Sequence, residues 1–241
     1  RDDERLEETL ATQACRGDKL KALQKMYHIT NEERTEIIRP NAENGQEPVG
    51  SMGDDTPMAV LSQQIRHVGD FFRQQFAQVT NPPIDPLRES IVMSLQTCLG
   101  AETNVFAPSA KDAHRIILSS PVLSASKMQQ LEKLDDPAFK MARIDLNYDR
   151  TLELSDAIVA ICEEVADNIR SGNTLIVLSD RDIDADKVPA NAIMVTGAVH
   201  HYLIAQGIRT DANLVIETGL ARDSHQIAVL IGFGATCVYP Y

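Results

Sequence analysis

A chain of 241 residues, 43% hydrophobic and 24% charged, is long enough for one large or two small domains and apolar enough to form a core. Its 35 acidic against 23 basic residues leave a net charge of −12, which repels phosphate backbones and anionic lipid, so neither nucleic acid nor a membrane is an expected partner. No stretch reaches the roughly 18 apolar residues of a membrane helix, and RDDERLEETLA is too acidic for a signal peptide; the expected compartment is the cytoplasm, and the start at Arg1 reads as a fragment of a longer polypeptide.

The first 45 or so residues read as exposed helix. Leu20, Leu23 and Met26 or Tyr27 recur at helical spacing, and Thr30-Asn31-Glu32-Glu33 offers a cap for a second helix. Pro40 predicts a bend or an end near Arg39, before Asn44-Gly45. After a polar irregular stretch from Glu47 to Pro57, Ile65, Val68, Phe72 and Phe76 step along one face, predicting an amphipathic helix with a buried aromatic stripe. Three prolines in Thr80 to Pro86 then impose a stiff, extended loop. Arg115 to Leu118 reads as a strand, and a short helix is expected from Ser124.

From Met141 the pattern is regular. Ala142 to Leu146 alternates as a strand, and Leu154, Ile158, Ile161, Val165 and Ile169 make a helical stripe that stops at Ser171-Gly172. Thr174 to Leu178 is an apolar run suited to a buried parallel strand. A helix over Ala192 to Gln206, a strand over Asn213 to Glu217, a helix from Ser224 to Ile231 ending at Gly232, and a strand over Ala235 to Tyr239 complete the series. Strands joined through helices imply a parallel sheet, hence an α/β fold. The expected form is a barrel-like or half-barrel sheet with a helical, irregular first half, since eight clear strands are not supplied.

Candidate sites are weak. Cys15, Cys98, Cys162 and Cys237 stand singly, as reduced thiols and not as a zinc or iron–sulfur set. Asp180, Asp182, Asp184 and Asp186 alternate as in a calcium loop. With Asp180 as position one, however, Ala185 replaces the required glycine and Asn191 the required glutamate, so a solvated loop is expected and no metal site is assigned. That loop does follow a strand's carboxyl end, where α/β folds place ligands. Gly232-Phe233-Gly234-Ala235 runs from helix to strand, the reverse of a dinucleotide fingerprint, which favours a cap at Gly232 and a tight turn at Gly234. His200, His201 and His225 lack ligand spacing. Asp54-Asp55 suits a turn better than an acid/base pair. No catalytic residue is assigned.

Three segments carry more information as wholes. EPVGSMGDDTPMAVLS (Glu47 to Ser62), FFRQQFAQVTNPPIDPLRE (Phe71 to Glu89) and ARDSHQIAVLIGFGATCVYPY (Ala221 to Tyr241) resemble, in that order, the central domain of the glutamate synthase large (alpha) subunit. The resemblance implies a helical entry segment over 1–46 and a central α/β domain over 47–241, a degenerate relative of the FMN-binding barrel. It implies a non-catalytic connector between a glutamine amidotransferase domain, which releases ammonia, and a synthase domain, where 2-oxoglutarate becomes glutamate with a hydride from reduced FMN. No cofactor is expected in this chain. The parent enzyme would hold FMN and an iron–sulfur cluster, draw on a nicotinamide or ferredoxin donor, and pair with a small electron-donating subunit. Gly50, Ser51, Met52, Gly53, Asp54, Asp55 and Thr56, with Asn81, Pro82, Pro83, Ile84 and Asp85, would touch the synthase domain or the mouth of the ammonia tunnel. Two other readings stay open at this point: a free-standing α/β enzyme binding a phosphate or flavin near Ser179, Glu217 and Gly234, and an interaction module of another assembly.

Overall fold

Residues 16–48, 57, 59–73, 83–104 and 106–241 are described in the computed structural model. The first of them form α1 (Gly17–Met26), then α2 (Asn31–Glu33), a π-helical turn (Arg34–Ile38) and α3 (Arg39–Asn44) in one continuous run. Thr30 caps this run, its Oγ1 accepting from Glu33 N at 3.1 Å. The helix passes Pro40 and ends instead at Gly45, which takes the left-handed conformation (φ 60°). The wider π turn just before Pro40 accommodates the ring and the missing N–H without a break there. Nor is this region wholly exposed: Tyr27, the C-cap of α1, is buried.

The amphipathic helix expected over Ile65 to Phe76 does not form across its described part. Only a 3₁₀ turn (Val68–Phe71) is present, Ile65 is 71% exposed, and Phe76 lies outside the described residues. His67 Nδ1 accepts from Gly69 N at 3.0 Å, a local bond that competes with the helix, and glycine weakens a helix further. Of the expected stripe, Val68 packs against the core and Phe72 meets Phe233 edge-on at 5.0 Å between ring centroids.

After the one-turn helix α4 (Glu89–Val92), strands β1 (Thr97–Leu99) and β2 (Ile116–Leu118) pair antiparallel. Ser124 caps α5 (Ala125–Glu132) as its position predicts. Then come β3 (Met141–Asp145), β4 (Asn147–Asp149), α6 (Leu154–Arg170), β5 (Leu175–Ser179), β6 (Lys187–Pro189), α7 (Ala192–Ala205), β7 (Asn213–Thr218), α8 (Ser224–Gly232) and β8 (Cys237–Pro240). The parallel sheet has the order β3-β5-β7-β8, the strands lying side by side in chain order, while β4 and β6 pair antiparallel beyond its carboxyl edge.

Alternation along the strands divides the core. Ile176, Leu178, Leu214, Ile216 and Val238 face α6, α7 and α8, which cover one side. Leu175, Val177, Val215 and Cys237 face Leu99, Leu118, Met128 and Phe139 on the other. Because both faces are covered, the central strand β5 and the Leu214 to Ile216 part of β7 read as unbroken apolar runs, whereas β3 at the sheet's edge alternates. Among the described residues, Cys98, Cys162 and Cys237 are free thiols, and burial pushes Cys237 up to about 12.

Gly172 and Gly207 follow their helices with positive φ, as expected of caps. At the Gly232-Phe233-Gly234 turn the roles shift by two residues. Gly232 is the last residue of α8, and Gly234 takes the positive φ (115°), its carbonyl accepting from Arg209 Nη2 at 2.8 Å. Arg209 also donates through Nε to His200 Nδ1 at 3.0 Å, and a side chain at position 234 would overlap that imidazole. Gly234→Ala is therefore expected to destabilise the fold by about 2 kcal/mol, from backbone strain plus displacement of His200. A urea midpoint unchanged from the parent chain would refute this.

Candidate functional site at the carboxyl ends of the parallel strands

The carboxyl ends of β5 and β7 each deliver a buried carboxylate. Glu217, almost fully buried, accepts from Ser179 Oγ at 2.6 Å and from Arg143 Nη1, and pairs with Arg181 Nε at 2.8 Å. Arg143 reaches on to Glu132 of α5 at 2.5 Å. The Arg181 guanidinium lies over the Tyr241 ring at 4.3 Å from its centroid, and its Nη2 donates to Tyr239 Oη at 3.2 Å.

Asp180, one residue beyond β5, is fully buried and not part of a solvated loop as its sequence context suggests. Its Oδ2 accepts from Thr218 Oγ1 at 2.5 Å; its Oδ1 accepts from Tyr241 Oη at 2.6 Å, Tyr27 Oη at 3.2 Å and Gly219 N at 3.3 Å. Burial pushes this carboxyl above the usual range, and the hydrogen bonds offset only part of the rise. Burial and then the Asp180 charge likewise push Tyr27 and Tyr241 up. Farther along, Asp184 Oδ1 accepts from the N–H groups of Asp186 and Lys187, closing a turn, and Lys187 Nζ pairs with Asp145 at 3.0 Å.

The tyrosines set an alkaline limit. With folded pKa values raised above the ordinary value near 10, both contribute stability that is complete below about pH 10 and lost as pH rises further. The urea midpoint should fall as pH rises above about 10, and the Tyr27→Phe, Tyr241→Phe double variant should show a flatter fall. Equal slopes in the two proteins would disprove the assignment.

A second tether lies nearby. Arg222 donates through Nε to Glu33 of α2 at 2.5 Å and through Nη1 to Gly219 O at 3.1 Å, and both side chains of the ion pair are mostly buried. With Tyr27, it docks the N-terminal helices over the end of the sheet. A cleft of about 700 Å³ remains between them, lined by Leu20, Leu23, Ala221, Ile227 and Tyr241 among others. Chemically, these strand ends do not fit a phosphate-anchored cofactor. Arg143 and Arg181 are turned onto Glu217, and the Asp180 carboxyl is filled by the chain's own donors. His225 Nε2 donates to Gly69 O at 2.9 Å, a structural role.

Of the residues assigned to an interface, Gly50 to Thr56, Asn81 and Pro82 lie outside the described residues. Pro83 is exposed and Ile84 half-buried. The Asp85 carboxylate accepts from Leu87 N and Arg88 N at 3.0 Å each and pairs with Arg88 at 2.7 Å, making a local turn. The polar cluster at the strand ends is what sequence reasoning missed. Its one signal is the polar pair that ends each apolar run, Ser179-Asp180 and Glu217-Thr218.

The model of the glutamate synthase central domain matches residues 22–241. The chain belongs to the glutamate synthase central domain family. Relatives of this central domain include a protein named glutamate synthase [NADH] from Schizosaccharomyces pombe, 41% identical over 89% of this chain and 10% of the relative. The ferredoxin-dependent glutamate synthase of Antithamnion sp. is 41% identical over 89% of this chain and 14% of its own length. The glutamate synthase [NADPH] large chain of Bacillus subtilis is 38% identical over 90% and 14%. The central domain thus spans 10 to 14% of the length of these relatives.

Proposed function

We propose that this chain is the non-catalytic connecting domain of a glutamate synthase polypeptide. It aligns a glutamine amidotransferase domain with an FMN-binding synthase domain and helps to enclose the tunnel that carries ammonia between them. Enclosure has a physical purpose, because it keeps ammonia from protonation and loss to solvent. The observation that supports a scaffold over a catalyst is the state of the strand ends. In a ligand-binding α/β protein these would face a substrate; here Asp180 and Glu217 are satisfied by the chain's own Thr218, Tyr27, Tyr241, Ser179, Arg143 and Arg181.

In this reading the parent enzyme is an oxidoreductase that makes glutamate from glutamine and 2-oxoglutarate. FMN supplies the hydride, an iron–sulfur cluster relays electrons, and a small subunit or a soluble donor delivers them. The relatives' names include NADH, NADPH and ferredoxin as donors, so this part of the chemistry varies outside the central domain. Residues 1–46 form the entry segment and 47–241 the domain proper, its sheet a half-barrel related to the flavin-binding barrel. Strands adjacent in chain order with α6, α7 and α8 on one face support that relation. Gly50 to Thr56 and Asn81 to Asp85 face the synthase domain or tunnel mouth. Among the described residues no helix is long and apolar enough to cross a membrane. We place the enzyme in the cytoplasm, while the rice and spinach relatives are named chloroplastic.

Titration of the purified chain with FMN, followed by fluorescence quenching, tests the proposal when glutaminase and 2-oxoglutarate-dependent activities are assayed alongside. No binding and no turnover are expected. Stoichiometric flavin binding would instead favour a free-standing enzyme, for which the cleft beside Tyr241 is the candidate site.

A further inference from the structure

The cleft of about 700 Å³ at the strand ends opens on apolar side chains. Leu20 of α1 is 37% exposed and Tyr241 40%, with Leu23, Val122 and Ile227 half-buried around them. An apolar hollow of this size left to solvent marks a binding surface. Its charged and hydroxyl groups are already paired. Tyr27 and Tyr241 donate to Asp180, Arg222 donates to Glu33, Ser224 bonds to Glu47, and Asp223 caps α8 by accepting from Gln226 N at 2.7 Å. What the cleft still offers is apolar contact, which suits a stripe of packed side chains better than a charged small molecule.

The order of the sheet says what such a stripe would belong to. β3, β5 and β7 are each followed in the chain by a helix, and these three helices, α6, α7 and α8, cover one face, as right-handed crossovers require. β8 comes next, and beyond it Val122 bridges Val238 in parallel, with Leu123 N donating to Val238 O and Val238 N to Pro121 O at 2.8 Å each. A helix following β8 in the same sense would lie beside α8, over β8 and Val122. The cleft occupies that place: Ile227 of α8, Val122, and Pro240 and Tyr241 at the end of β8 all line it.

We infer that the segment directly following Tyr241 in the parent polypeptide seats in this cleft as a helix, its apolar stripe against Leu20, Leu23, Ile227 and Tyr241. The inference rests on the connecting-domain reading above, in which the polypeptide continues on both sides of this domain. The chain spans 10 to 14% of its relatives' length, so most of such a polypeptide lies outside it. A segment continuing from Tyr241 is tethered to the cleft's own wall, which gives it a high effective concentration there. The other end of the described chain is less well placed, because residues 16–19 do not line the cleft. A second copy is opposed by the net charge of −12 that each copy carries.

An Ala42→Cys variant tests this, since Ala42 lines the cleft and is exposed. Its alkylation is read peptide by peptide by mass spectrometry in the 241-residue chain and in the full-length polypeptide. The thiol should react freely in the short chain, with or without added FMN, and at least about tenfold more slowly in the full-length protein. A photo-crosslinking residue at position 42 of the full-length protein should capture a peptide from within about 20 residues after Tyr241, the reach of one helix and its connection. Equal reactivity in both proteins, protection of the short chain by FMN or by raised protein concentration, or capture of residues 1–15 or of a peptide farther from Tyr241 would each overturn the inference. Glutamine-dependent glutamate formation by the same full-length protein separates the two failures. An active enzyme that leaves position 42 unprotected refutes only the docked helix, whereas a polypeptide that forms no glutamate and binds no flavin refutes the connecting role and the docking with it.

Discussion

Replacing Glu217 by glutamine is expected to lower the stability of this chain by about 3 kcal/mol, read as a shift of the urea midpoint at constant slope. The carboxylate is nearly inaccessible and faces two guanidiniums, so the change leaves Arg143 and Arg181 with one carboxylate fewer and removes the negative partner from the centre of the sheet's end. The estimate is at the lower edge of the usual cost of breaking a buried pair because both arginine side chains are 37% exposed and keep some hydration. Arg143 retains Glu132, whereas Arg181 retains only its tyrosine contacts. Arg181→Met should therefore be less harmful than Glu217→Gln, since it leaves Glu217 paired with Arg143 and Ser179. The opposite ranking would show that Glu217 is not the hub of this cluster.

Asp180→Ala should cost about 2 to 3 kcal/mol and loosen the N-terminal helices in particular, because four donors lose their acceptor at once. Hydrogen exchange over Gly17–Met26 should accelerate more than exchange over the central strands. Asp180→Asn should cost less. The raised pKa means that ionised Asp180 is itself uphill. Its contribution is complete below the ordinary carboxylate pKa and declines as pH rises through the folded value, and asparagine keeps an acceptor oxygen in the same place. If Asn and Ala proved equally damaging, the second acceptor oxygen that asparagine lacks would matter more than the shape of the side chain. In the proposed assembly the same variants should weaken coupling between glutamine hydrolysis and glutamate formation, since the helices tethered at Tyr27 are the entry to the domain.

The second half of the fold was legible because its signals are local and strong. The helical stripe from Leu154 to Ile169 has 3.6-residue periodicity and a glycine stop, and Leu175 to Leu178 is too short and apolar to be anything but a covered strand. In the first half, the helix expected through Phe72 failed because periodicity competes with a single local bond. His67 Nδ1 to Gly69 N, beside a glycine, favours a turn that no apolar spacing reveals. The small β4–β6 ribbon was equally invisible, since three-residue strands separated by 37 residues carry no periodicity of their own.

By itself, then, the order of apolar runs and glycine caps determined the parallel α/β architecture, and the three long segments determined the family. What only the tertiary structure decided is the meaning of Asp180, Glu217, Tyr27 and Tyr241. In sequence Asp180 opens a polar loop that looks solvated, and Glu217 ends an apolar strand with no partner in view. In space Asp180 meets Tyr27, 153 residues away, and Tyr241, 61 away, while Glu217 meets Arg143, 74 away, and Ser179, 38 away. Burial and hydrogen bonding are properties of neighbours across the fold, and no window along the chain contains them.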